Sequence, residues 1–178
     1  MFPVLHSERL VLRELSSEDH EEVFGIFSNP DVTRYYGQDP FTRLEEADRL
    51  LQFFASAWTG ERGIRWGIQR KSSPGLIGTI GFNAWSPKHK RAELGYELHP
   101  DYWGAGYASE AAAEVIRYGW ESMDLVRIGA IVYVENTPSA SLLRKLGFRE
   151  EGILRNYMYQ NGASHDTRVF SLTADPAL

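Results

Sequence analysis

At 178 residues, 43% of them apolar and 24% charged, the chain has the length and composition of one folded domain with its own hydrophobic core. Its formal net charge of −5 excludes the basic surface of a general nucleic-acid binder, while leaving room for a local basic pocket around a phosphorylated ligand. The absence of cysteine excludes disulfides, thiolate nucleophiles and zinc–sulfur sites, and no stretch approaches the roughly 20 apolar residues of a membrane helix.

The opening segment MFPVLHSERL has neither the charged start nor the long apolar core of a signal peptide, so a cytoplasmic domain with no membrane partner is expected. Residues 10–15 read as a short strand. Ser16, Ser17, Glu18 and Asp19 then open a helix whose apolar face is Val23, Phe24, Ile26 and Phe27. After the break at Asn29-Pro30-Asp31, a second helix spans residues 44–58, with Ala47, Leu50, Leu51, Phe54 and Trp58 at helical spacing. Three strands follow at 65–70, 76–85 and 91–98, joined by turns rich in Ser, Pro, Gly and Lys, which predicts an antiparallel meander. An alanine-rich helix covers 105–121 and a nearly all-apolar buried strand 127–134. A short helix at 139–146 stops at Gly147, and strands at 148–151 and 157–172 complete the order. The expected fold is a mixed, mostly antiparallel sheet of about seven strands with helices on both faces, of α/β or α+β class.

Gly104-Ala105-Gly106 stands where a strand gives way to a helix. Glycines let a backbone approach an anion closely, and the following helix start offers free N–H groups and a positive dipole end. Residues 103–109 therefore read as a pyrophosphate cradle, although a glycine pair before a helix is also an ordinary tight turn. A dinucleotide-binding loop is the rival reading. It fits poorly, since its third glycine would be Ser109 and an antiparallel meander precedes it. Asn136-Thr137-Pro138-Ser139 opens the next helix directly after the buried strand. Loops at the ends of two neighbouring strands would line one cleft.

Glu8 through Arg13, Glu93 through Leu98, Tyr102 through Ala111 and Asn136 through Phe148 together resemble the GNAT acetyltransferase superfamily, and within it the RimJ/RimL branch of ribosomal-protein N-terminal acetyltransferases. The resemblance covers residues 1–178 as a single acetyltransferase domain. It implies acetyl-coenzyme A as co-substrate, with the pantetheine arm along Leu98 and His99. Pyrophosphate would lie at Trp103, Gly104, Ala105, Gly106, Tyr107, Ala108 and Ser109, and Asn136 would be a further polar contact. The implied acceptor is a primary amine, in this branch a protein N-terminus, and a homodimer is common among such enzymes. Three positions depart from the pattern. The Gln or Arg expected three residues before the first glycine is Asp101; the tyrosine expected seven residues after the asparagine is Leu143; the glutamate base of the branch would fall at Met158. The branch's serine acid falls at Ser139.

The thioester carbonyl is expected to be held by a backbone N–H near Leu98, freed by a strand bulge. Glu93 and Glu97 are the remaining bases, and in an unbroken strand both share one face with Gly95. Glu93 is preferred, and solvent-facing strand pairs are the plain alternative. Tyr35, Tyr36, Trp58, Trp66, Trp85, Tyr157 and Tyr159 could wall a substrate groove, but large aromatics belong to cores by default. Lys88-His89-Lys90-Arg91 could attract coenzyme A phosphates or form a solvated turn, and the five histidines show no metal-ligand spacing. The alternatives to protein N-termini are a small amine such as a polyamine or aminoglycoside, which would want several cleft carboxylates, and a non-catalytic acyl-coenzyme A sensor.

Overall fold

A computed structural model of the chain describes residues 1–174. Eight strands run in sequence as β1 (Leu5–His6), β2 (Leu10–Glu14), β3 (Ile64–Arg70), β4 (Leu76–Ser86), β5 (Arg91–Leu98), β6 (Arg127–Tyr133), β7 (Arg149–Gln160) and β8 (Ala163–Thr173). They form one sheet in the order β1-β2-β3-β4-β5-β6-β8-β7. The expected meander is β3–β4–β5, and β5–β6 is the parallel pair among antiparallel neighbours.

Among the described residues five α-helices accompany the sheet: α1 (His20–Phe27), α2 (Pro30–Thr33), α3 (Leu44–Thr59), α4 (Tyr107–Glu121) and α5 (Thr137–Lys145). Alternation along β3 sends Arg65 and Trp66 to opposite faces of the sheet. The Arg65 guanidinium lies 5.3 Å from the Phe54 ring of α3, while Trp66 meets Tyr118 of α4 edge-on at 5.4 Å. Helices therefore cover both faces. On α3, Ala47, Leu51, Phe54 and Ala57 are the buried positions, a stripe at helical spacing. On α4, Gly119 is where the helix approaches closest: a Cβ there would stand 2.9 Å from the Phe82 ring. The larger core, on the α4 side, includes Trp66, Ile68, Ile80, Phe82, Val115 and Phe170.

The structure corrects the sequence reading in three places. The strand count is eight, because β1 pairs Leu5 with Leu12 and His6 with Val11. The single strand expected over 157–172 is a hairpin, turned at Asn161 (φ 52°) and Gly162 (φ 74°), the pair of positive φ values that a two-residue turn of matching twist needs. The helix expected from 105 begins at Tyr107, because Gly104 (φ 73°) and Gly106 (φ 81°) are both left-handed.

Candidate active site

The site exists because β5 and β6 part. Their parallel pairing spans Arg91–Arg127 to Glu93–Gly129 and then stops. Beyond it, β5 stays paired to β4 as far as Leu98, and β6 stays paired to β8. The strands diverge into a cleft of about 230 Å³ lined by residues 93–97 of β5, Ala130, Ile131 and Val132 of β6, and Asn136, Ser139 and Leu143 of α5. Tyr35, Tyr36, Tyr157 and Met158 close it from the outside. Because Glu93, Gly95 and Glu97 lie on the α3 face and Tyr96 on the opposite one, the opening passes through the sheet.

The expected bulge at Leu98 is absent: the β4–β5 register runs unbroken from Asn83–Glu93 to Gly78–Leu98, and its irregularity lies between Asn83 and Ser86. Divergence frees the donors instead. The N–H of His99 donates to Ile77 O at 2.8 Å, so by antiparallel alternation the odd-numbered β5 residues bond toward β4 and the even-numbered ones toward β6. The Leu98 carbonyl, accordingly, accepts from the Trp103 indole Nε1 at 2.9 Å. Leu98 N–H points the same way, into the gap that β6 has left. His99 has no such freedom, since its carbonyl accepts from Tyr102 N–H at 3.0 Å and its Nδ1 accepts from Asp101 N–H at 3.3 Å.

At the end of β5, residues 103–106 are exposed and lead into α4, whose first turn has no side-chain cap. The opening N–H groups of a helix lack intrahelical partners, so Tyr107, Ala108 and Ser109 present donors at a positive dipole end. Arg9 fixes this loop. Its Nη1 donates to Ala105 O at 3.0 Å, its Nε to Glu110 at 2.7 Å, and its guanidinium sits 4.5 Å from the Tyr107 ring centre. Burial raises the Glu110 carboxyl, but hydrogen bonds from Ser7 and Arg9 outweigh it and hold the group below its usual range. Glu110 therefore presents a neutralised charge beside the anion-ready helix start.

The two glutamates part company chemically. Glu97 is buried, takes a hydrogen bond from Thr79 Oγ1 at 2.7 Å, and is ion-paired with Arg65 Nη2. Arg65 reaches it by lying across Gly81 and Gly95, its register neighbours on β4 and β5, and its Nη1 donates to Gly95 O at 3.0 Å. A Cβ on Gly95 would stand 3.3 Å from that nitrogen, so a side chain there would crowd the guanidinium. Glu93 also lines the cleft and is half-exposed. On the other side of the opening, Ser139 Oγ accepts from Tyr96 Oη at 3.1 Å, and Ser139 N–H donates to Asn136 Oδ1 at 3.3 Å.

Of the aromatics, Tyr35, Tyr36 and Tyr157 line the cleft, Trp58, Trp66 and Trp85 belong to the core packing, and Tyr159 is exposed. Residues 88–91 lie at the far end of β5 from the cradle, roughly 20 Å away at about 3.3 Å per residue; there Lys90 pairs with Asp124 at 2.7 Å. Three contributors escaped the sequence reading. Arg65 carried no motif, and Tyr96, although inside the Glu93–Leu98 run, was given no role. Gln160 joins the β7 end to the loop beside Tyr35 and Tyr36, with Oε1 accepting from Gly37 N–H (3.0 Å) and Tyr133 Oη (2.9 Å) and Nε2 donating to Thr33 O and Gln38 O (both 2.8 Å).

A mixed sheet opened between two parallel neighbours, with an uncapped glycine-led helix at its rim, offers a cleft beside free backbone donors. The acetyltransferase (GNAT) domain model matches residues 9–149. An uncharacterised N-acetyltransferase of Bacillus subtilis, YoaA, is 49% identical over 97% of both chains. The spermidine N(1)-acetyltransferase of Escherichia coli is 31% identical, over 90% of this chain and 82% of its own. The crystal structure of a Salmonella typhimurium acetyltransferase that modifies the N-terminal serine of a 50S ribosomal subunit protein superposes with a TM-score of 0.86, at 21% identity, over 97% of this chain and 100% of that one. The chain belongs to the GNAT acetyltransferase family and is an N-acetyltransferase.

Proposed function

We propose that the protein transfers the acetyl group of acetyl-coenzyme A to a protein N-terminal α-amine, as in the ribosomal-protein branch of the family. In this reading the Gly104–Ser109 amides hold the pyrophosphate, the pantetheine arm follows β5 at Leu98 and His99, and Asn136 adds a polar contact. His99 contributes by position, since both its backbone groups are engaged within the fold. Leu98 N–H serves as donor to the thioester carbonyl oxygen, where negative charge develops during attack. Glu93 accepts the proton the amine loses. The C–N bond forms as the C–S bond breaks, the Ser139 hydroxyl hydrogen-bonds the departing thiolate, and Glu93 releases the amine's proton to solvent as the thiolate takes one up, so that amide and free thiol are the products.

The observation that carries the choice of acceptor is the charge of the cleft. Its lining carboxylates are Glu93 and Glu97, and Arg65 neutralises Glu97. Glu46 caps α3 through the Thr42 and Arg43 amides, and Asp39 accepts from Asn161 N–H. Glu93, without a salt bridge among the described residues although its charge is felt by Arg127, is one carboxylate for one ammonium and suits it better than a polycation. Proton energetics point the same way. At pH 7 an α-amine of pKa about 8 costs about 1.4 kcal/mol to neutralise, whereas a lysine of about 10.4 costs about 4.6 kcal/mol. A half-exposed glutamate can meet the first demand far more readily than the second.

Polyamine acetylation is the second reading, favoured by the 31% identity to the spermidine enzyme. Initial rates with acetyl-coenzyme A on N-terminal peptides, lysine side-chain peptides, spermidine and an aminoglycoside separate the readings. Peptide α-amines are expected to give a kcat/KM at least tenfold above the rest. A spermidine preference of that size transfers the assignment to polyamines.

A further inference from the structure

We propose that Tyr96 is a positioning residue for acyl transfer, acting through the Ser139 hydroxyl. The inference deepens the acetyl-transfer reading and rests on it. Ser139 stands in the first turn of α5, where a side chain is held only as well as its partners hold it. Its backbone N–H is tied to Asn136 Oδ1 at 3.3 Å, which fixes the position of its Cα. Its hydroxyl oxygen accepts from Tyr96 Oη at 3.1 Å, which fixes the rotamer. A serine hydroxyl has one proton to give. With Tyr96 as donor to the oxygen, that proton is directed to a different acceptor, and both residues line the cleft.

The arrangement has the properties a positioning device needs. Tyr96 is carried by the middle strand of the sheet, in continuous register with Ile80 of β4, so its ring has a rigid base. Burial pushes the phenol above its ordinary value, and the Ser139 hydrogen bond only partly offsets this, which keeps the hydroxyl protonated and donating near neutrality. Accepting from Tyr96 also draws electron density from the serine oxygen, which polarises the serine's own O–H and makes it a stronger donor to a sulfur that is gaining negative charge. Position 143, one turn further along α5, offers no hydroxyl for that contact, since it is Leu143, buried in the core.

The test is a double-mutant cycle of Tyr96→Phe, Ser139→Ala and the combination, using full-length protein, acetyl-coenzyme A and an N-terminal peptide. Phenylalanine keeps the ring that packs and removes only the hydroxyl. Each single variant is expected to lower kcat about three- to tenfold, the range of one hydrogen bond, with the acetyl-coenzyme A Kd from calorimetry within twofold of wild type. The double variant is expected to be no slower than Ser139→Ala alone, since a residue acting through another contributes nothing once that one is gone. Unchanged kcat in either single variant overturns the role, as do multiplying deficits in the double variant. A thermal unfolding midpoint of Tyr96→Phe equal to wild type excludes a folding artefact at position 96. Wild-type protein that binds acetyl-coenzyme A but turns over no amine overturns the acetyl-transfer reading, and this inference with it; wild-type activity with an additive cycle overturns the inference alone.

Discussion

Arg65→Met removes one partner of a buried ion pair and leaves the other in place. The Arg65 and Glu97 side chains are 3% and 5% exposed. Without the guanidinium, Glu97 retains Thr79 Oγ1 as its neutral donor, and Gly95 O loses its contact with Nη1. Leaving one charge of such a pair uncompensated costs roughly 3–5 kcal/mol. In a domain of this size each kcal/mol lowers Tm by about 2–4 °C, so a fall of roughly 6–20 °C is expected. Urea unfolding followed by circular dichroism, with an unchanged m-value, measures it directly. The paired change Arg65→Met with Glu97→Leu should recover part of the loss, because it removes the stranded charge as well. A single variant within about 1 kcal/mol of wild type would refute the claim that Glu97 is held by Arg65, and would return Glu97 to the list of candidate bases.

Gly106→Trp is expected to abolish acetyl-coenzyme A binding by calorimetry, because φ of 81° is left-handed and a Cβ already stands 3.4 Å from Arg9 Nη2; unchanged affinity would move the cradle elsewhere. Asp19→Asn probes acid stability. Burial raises the Asp19 carboxyl, but hydrogen bonds from Arg13 and Ser16 outweigh it and hold the folded value below normal. A depressed folded pKa stabilises above the unfolded value of about 3.9 and is lost as pH falls through the folded one. The variant should therefore be weaker by about 1–3 kcal/mol at pH 7, with the gap closing as pH falls below the unfolded value of about 3.9; a gap independent of pH contradicts this. Gln160→Ala removes three hydrogen bonds that hold the 33–38 loop and one from Tyr133 Oη, and should raise KM for the amine severalfold while leaving the acetyl-coenzyme A Kd unchanged. Equal effects on both ligands would deny the loop an acceptor-side role.

The meander was legible because its strands are regular and bounded by turn residues: β5 begins and ends where its residue pattern does. The glycine-led start of α4 was legible because left-handed backbone at a helix start leaves glycines in the sequence. β1 was not, since two residues carry no periodicity. The β7–β8 hairpin had a signal in Asn161-Gly162, but β7 is an edge strand exposed along nearly all its length, so no apolar alternation framed that turn. The contacts that set the site's chemistry were the least legible. Arg65 meets Glu97 across 32 positions, Arg9 meets Glu110 across 101 and Gln160 meets Thr33 across 127. Such pairs are decided by register and strand order, which local pattern does not encode. Glu93 and Glu97 look equivalent in sequence, and a single arginine two strands away separates them.

The most direct test of the central claim is the pH dependence of kcat/KM for an N-terminal peptide, compared between wild type and Glu93→Gln. General-base removal commonly lowers rates by about 10²–10⁴, with a half-exposed base toward the lower end. The variant is expected to lose about 100-fold at pH 7 with acetyl-coenzyme A affinity intact, and to recover about tenfold per pH unit toward the amine's pKa as neutral amine accumulates. A Glu93→Gln profile that overlays wild type from pH 6 to pH 9 would contradict the claim.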